Sequence, residues 1–166
     1  MNKPDKKKKN IRASILDRLI DLDPKSHVDS EQNQYQQVRD LRESVKRDLE
    51  SLLNTRYRII STPEDLPQLE NCILNYGLPD LATVNTTDIE KRKAFIRDLE
   101  SLLRTYEPRF KSVSVTYQDN DGNGDRTLRF RIDAILYADP APEVVVFDSI
   151  LEPVSRSVNI RASDHV

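Results

Sequence analysis

The sequence predicts an α+β fold, with two long helices and shorter ones packed on one face of a small sheet that ends in a three-stranded antiparallel meander. Three observations predict it. Two stretches, Val38 to Leu53 and Ile89 to Tyr106, carry apolar residues at helical spacing. After Arg109 the period changes from helical to alternating. A run apolar at every position, Val144-Val145-Val146-Phe147, follows near the end. One helical layer and one sheet then share a core.

At 166 residues the chain has a one-domain length. Charged residues make up 33% and apolar ones 37%, which suits a small soluble protein with mobile ends. The net charge of −2 calls for neither nucleic acid nor an anionic membrane as partner. No apolar run approaches the roughly 18 residues that span a bilayer, and no signal-peptide apolar segment follows the lysine-rich start, so a cytoplasmic location is expected. A single cysteine, Cys72, excludes an internal disulfide; with only His27 and His165 beside it there is no zinc-ligand spacing, and it is expected to pack in the core. No cofactor is expected.

Residues 1–29 read as a flexible basic tail with a short amphipathic helix. Lys6 to Lys9 form a run without aromatics, read as solvated charge rather than a nucleic-acid contact. Between Ile11 and Leu22, Ile15, Leu16, Leu19 and Ile20 recur at helical spacing, and Asp23-Pro24 ends the segment. A helix this short is not stable alone and docks either on its own domain or on a partner; both readings stand. The domain proper is read as residues 30–153. Its first long helix starts between Ser30 and Gln36, and its apolar stripe is roughly 120° wide. Arg42 alone interrupts the stripe, its stem expected on apolar surface and its guanidinium at the rim. Asn54 and Thr55 close the helix, and Arg56 to Ile60 read as a short strand. Thr62-Pro63-Glu64-Asp65 start a short, broken helix over Leu66 to Leu74. Asn75 to Asp80, with Gly77 and Pro79, reads as a tight structured connection.

Thr87 and Glu90 have capping-box spacing for the second long helix, whose apolar face is about 140° wide and which Glu107-Pro108 ends. RDLESLLRT from Arg97 nearly repeats RDLESLLNT from Arg47; the divergent flanks favour convergence over duplication. Val113, Val115 and Tyr117 then share one face. Beyond the DNDGNGD turn, Leu128 to Leu136 alternates against Arg129, Arg131 and Asp133, a hairpin whose arginine side faces solvent or a partner. Glu143 to Leu151 is apolar on both faces and is expected to be covered twice. It lies either at a sheet edge, where it invites another strand, or in the middle of the sheet; the sequence leaves the order open. Residues 154–166 read as a flexible polar tail.

LRESVKRDLESLLNTRYRI from Leu41, NYGLPDL from Asn75 and YEPRF from Tyr106 occur in an order and spacing that resemble the TssE family of type VI secretion baseplate components. That family is shared with the baseplate wedges of contractile-tailed phages and is often called lysozyme-like. The likeness runs from about Ile15 to about Leu151. It implies a non-enzymatic assembly role, joining the wedge proteins TssF and TssG. It also implies a part in starting the contractile sheath of TssB and TssC by strand addition, because the family resembles the interlocking sheath domain whose subunits exchange strands. The implied partners are proteins, with no nucleic acid and no membrane insertion.

Glu107-Pro108-Arg109 lies where the second helix stops and the first hairpin strand starts, a corner made rigid because proline fixes its own φ and restricts the residue before it. The residues alone read as a helix stop with two surface charges or as a partner contact. They match the family's glutamate-proline-arginine motif, which implies the wedge contact. Arg109 is then expected to offer a planar fork to a partner carboxylate or carbonyl. Arg129 and Arg131 complete the candidate partner-binding set. Asp119 to Asp125 resembles the start of an EF-hand loop, but the twelfth position is Phe130, and turn chemistry explains the segment without a metal. A glycosidase needs two carboxyl groups about 5–9.5 Å apart across a sugar cleft. Glu43, Asp48, Glu50, Asp98 and Glu100 read instead as solvated helix faces, tryptophan is absent, and no catalytic residue is assigned. A peptidoglycan hydrolase and a regulatory adaptor on the same fold are the alternatives to the baseplate role.

Overall fold

The computed structural model describes residues 14–20, 24–25, 34–57, 63, 65–66, 68–69, 72–79, 88–118, 127–138, 141–152 and 154–163. Its elements are α1 (Ile15–Leu19), α2 (Gln34–Asn54), a 3-10 turn (Ile73–Asn75), α3 (Ile89–Tyr106), β1 (Phe110–Gln118), β2 (Leu128–Leu136), β3 (Glu143–Glu152) and β4 (Ser157–Ala162).

The two long helices follow from their apolar stripes. Leu41, Val45, Leu49, Leu52 and Leu53 of α2 are buried, as are Phe95, Leu99 and Leu103 of α3. Arg42 is half-buried with its guanidinium paired to Glu143 at the start of β3, the rim position expected of it. The α3 cap falls one residue later than the sequence spacing suggests. Asp88 accepts from the N–H groups of Glu90 and Lys91 at 2.9 and 3.4 Å, placing an anion at the positive end of the helix. Thr87 lies outside the described residues.

Of the strand expected at Arg56 to Ile60, the described residues show one parallel bridge between Arg56 and Leu78; residues 58–62 lie outside them. Tyr57 N–H donates to the Leu78 carbonyl (3.2 Å) and Leu78 N–H to that of Thr55 (2.9 Å). Gly77 makes this approach possible: its φ is +114°, and a Cβ there would lie 2.4 Å from the Thr55 carbonyl oxygen. Cys72, expected in the core, is only half-buried, because it precedes the exposed 3-10 turn.

The sheet is an antiparallel meander in the order β1-β2-β3-β4. It has four strands rather than three, and the fourth lies in the segment read as a tail. Val158 and Ile160, two residues apart, both point into the core and anchor it despite its polar composition. The Asn54 side chain at the end of α2 reinforces it, donating to the Val158 carbonyl and accepting from the Val158 N–H, each at 2.9 Å. β3 is therefore an interior strand. Its outward residues are not covered by a second layer of the described chain: Val144 is 45% exposed, and Val146 and Ile150 are half-buried. All the inward side chains meet one helical layer, with α3 against β1 and α2 against β4. The EF-hand-like segment Asp119 to Asp125 lies outside the described residues.

Candidate functional site

The corner at Glu107-Pro108-Arg109 is fixed on both sides by backbone bonds. Glu107 N–H donates to the Leu103 carbonyl (3.0 Å) and ends α3. Phe110 N–H returns to the Glu107 carbonyl (3.1 Å), and the Arg109 carbonyl accepts from Tyr137 N–H (2.9 Å), which starts the β1–β2 ladder. Pro108 is exposed at the apex. A cross-strand irregularity between Phe110 and Ser112 turns both Lys111 and Ser112 outward before alternation resumes.

The side chains at the corner point inward. Glu107 is 5% exposed and takes two bonds from the Arg109 fork, Nε to Oε1 at 2.6 Å and Nη2 to Oε2 at 2.5 Å. Arg109 Nη2 also donates to Asp48 Oδ2 (2.6 Å) and Nη1 to Ser44 Oγ (2.9 Å), both on α2. Ser44 Oγ in turn donates to Asp17 Oδ2 of α1 (2.7 Å). Arg47 reaches Asp17 Oδ1 at 2.6 Å and Asp48 Oδ1 at 3.3 Å. Asp17, Ser44, Arg109, Asp48 and Arg47 thus form a closed ring that joins α1, one turn of α2 and the corner.

Electrostatics follow from this geometry. Burial raises the Asp17 carboxyl, but bonds from Ser14, Ser44 and Arg47, with the charge of Arg47, outweigh it and bring the pKa down from 3.8 to about 2. Burial alone lowers Arg109, and its bonds to Glu107 and the charges of Glu107 and Asp48 reverse this, so it stays protonated. Beside the ring, Tyr76 and Tyr106 meet edge to face with centroids 5.3 Å apart. Burial raises both phenols; the negative charges of Asp48 and Glu107 add to this at Tyr76, against a bond from Ser51.

The fork expected to face a partner is therefore filled from inside. Glu107 and Arg109 come together, but Arg129 and Arg131 do not join them. Phe110 pairs with Leu136, whereas Arg131 and Arg129 lie opposite Thr116 and Gln118. Six and eight residues of strand put them roughly 20 and 26 Å from the corner. Arg131 Nε donates to Asp148 on β3 (2.9 Å), a bond that raises its pKa, and both groups are well exposed. Arg129 is exposed and engaged by other groups of the chain.

Sequence reasoning missed Asp17, Ser44, Arg47 and Asp48. Signals were present. Ser44 and Asp48 are four apart, so they share a helix face, and a serine in mid-helix is at a position its side chain does not favour. Ser14 and Asp17 have cap spacing: Ser14 Oγ donates to the Asp17 carboxylate (2.6 Å) and accepts its N–H (3.1 Å). The short helix docks on its own domain, by its polar side. Ile15 and Leu19 are 80% and 76% exposed, and Leu16 and Ile20 are exposed with them.

Among the described residues no helix is long and apolar enough to cross a membrane. No curated protein matches the chain. Residues 39–141, from the first turns of α2 through the corner and β2 to just before β3, match the family model described as baseplate wedge protein gp25. That span is well over half of the 166 residues, it holds Ser44, Asp48, Glu107 and Arg109 together, and it agrees with the likeness read from the sequence: the chain belongs to the baseplate wedge protein gp25 family.

Proposed function

We propose that the chain is a non-enzymatic, cytoplasmic component of a type VI secretion baseplate that joins TssF and TssG in a wedge. The observation that carries this reading is the corner inside the family-matched span. Its Glu107–Arg109 pair is bidentate, mostly buried and tied to α2, an arrangement that fixes shape and leaves no free acid or base. The partner contact then runs over the exposed apex at Pro108, the rim of Arg109 and the half-exposed Asp48, with Arg129 and Arg131 contributing at a distance.

Because Glu107 is buried against Arg109, Arg109→Ala leaves an unpaired buried carboxylate and should cost about 3–5 kcal/mol of stability. The binding test therefore uses the exposed apex. Pro108→Glu should leave the thermal midpoint nearly unchanged and weaken co-purification with TssF and TssG at least about tenfold, the size expected when a charge and a longer side chain are forced into the apex of a packed contact. Full binding by folded Pro108→Glu would overturn the corner as the contact.

The same reading includes a start for the TssB/TssC sheath by strand addition. The sheet edges are β1 and β4. Asn54 occupies both backbone groups of β4 at Val158 at 2.9 Å, whereas on the nine-residue β1 Arg104 makes one longer bond, to the Val113 carbonyl at 3.4 Å, so β1 is the edge we assign to another strand. Amide exchange with sheath subunits bound should show new protection at Phe110–Gln118, and unchanged exchange there in a demonstrably bound complex excludes templating at this edge.

A further inference from the structure

Helix α1 is placed in an unusual way. It has five residues, too few to be helical alone. Its apolar side chains are mostly exposed, so little buried apolar area holds it down. What holds it is Asp17, whose carboxylate accepts from Ser14, Ser44 and Arg47 and is held mostly out of solvent. Two of these donors lead on to the corner. Ser44 Oγ gives its proton to Asp17 and so presents a lone pair to Arg109 Nη1. Arg47, clamped by Asp17, keeps one oxygen of Asp48 engaged while the other receives Arg109 Nη2. Bonds linked donor to acceptor in this way polarise and orient one another.

We propose that Asp17 is a positioning residue for the corner, setting the Arg109 guanidinium and the Asp48 carboxylate through Ser44 and Arg47 and so coupling the docking of α1 to partner binding. The inference rests on the corner being the wedge contact. It adds α1, which lies outside the family-matched span, to the machinery of that contact. Without Asp17 the Ser44 hydroxyl is free to turn back to its own helix, as mid-helix serines do. Arg47 is then left with Asp48 alone at 3.3 Å, and nothing fixes which carboxylate oxygen meets Arg109.

The test uses the full chain with Asp17→Ala, Ser44→Ala and Asp17→Asn. The first readout is the Arg109 side chain in the free protein, by NMR of its Nε–H: proton exchange and rotation of the guanidinium. The second is affinity for TssF and TssG, with the thermal midpoint as control. Asp17→Ala and Ser44→Ala should speed Arg109 exchange and weaken binding about five- to tenfold, the loss of one or two hydrogen bonds, with little change in midpoint. Asp17→Asn keeps an acceptor oxygen for Ser44 and should recover part of both. A merely structural tether would lower the midpoint and leave the Arg109 signal of the folded state as it was. An unchanged Arg109 signal in Asp17→Ala overturns the proposal. So does an altered signal with unaltered binding; in that case loss of binding by Pro108→Glu keeps the corner reading alive, and normal binding by Pro108→Glu ends both.

Discussion

Ser149 is 1% exposed on the inward side of β3, across from Phe130 and Ile160, and its hydroxyl has no hydrogen-bond partner. A buried hydroxyl left unpaired opposes folding by about 1–3 kcal/mol, whereas alanine fills nearly the same space. Ser149→Ala should therefore raise the thermal midpoint, by about 3 °C for a gain near 1 kcal/mol in a chain of this size; a fall would show that the hydroxyl is satisfied. Gly77 gives the opposite case. Alanine there would be strained at φ +114° and would drive its Cβ into the Thr55 carbonyl, which is backbone and cannot turn away. Gly77→Ala should cost more than about 2 kcal/mol, read as a lowered unfolding midpoint in denaturant. Of these two residues only Gly77 was legible in the sequence, because glycine next to Leu78-Pro79 announces a turn. A serine among alternating β residues announces nothing.

At the scale of elements, legibility tracked how each one is held. Helices α2 and α3 were read nearly in full, because each buries an apolar stripe and periodicity reports that directly. Helix α1 was read only as amphipathic, since it docks by its polar side and the sequence pattern points the wrong way. Its polar attachment makes it sensitive to acid. Asp17 has a pKa of about 2 when docked against 3.8 when free, so the free state binds more protons between these values. Its contribution to docking is complete above about pH 4 and is lost as pH falls toward 2. The Asp17 carboxyl, followed by NMR, should titrate near the lower value while amide protection of Ile15 to Ile20 falls ahead of that of the sheet. Titration at 3.8 in the folded chain would show that the carboxylate gains nothing from Ser44 and Arg47. β4 went unread for the reverse reason, as two inward residues in six are too few to stand out from a polar segment.

On the scale of the molecule, the first long helix is closed against the last strand, a pairing no local pattern announces. The Asn54 amide bonds the Val158 backbone across 104 residues of sequence, and Arg56 donates to the Arg156 carbonyl at 2.6 Å, where the chain turns with a positive φ of 54°. Val158 and Ile160, each 3% exposed, complete the core beneath α2. Burying them contributes about 1.5–3 kcal/mol apiece, and the Asn54 bonds about 0.5–1.5 kcal/mol each. That is a large share of the roughly 5–15 kcal/mol by which a domain is stable. The boundary at residue 153 that composition suggests would remove all of it. It would also expose the edge of β3, whose Val144 and Val146 lie on the uncovered face, and such an edge pairs readily with other chains. Limited proteolysis of the folded chain should therefore leave a fragment that runs past Ala162, and a chain ending at Pro153 should unfold at lower temperature or self-associate. A monomeric fragment of residues 30–153 with an undiminished midpoint would mean that β4 is held to the domain without holding the domain together.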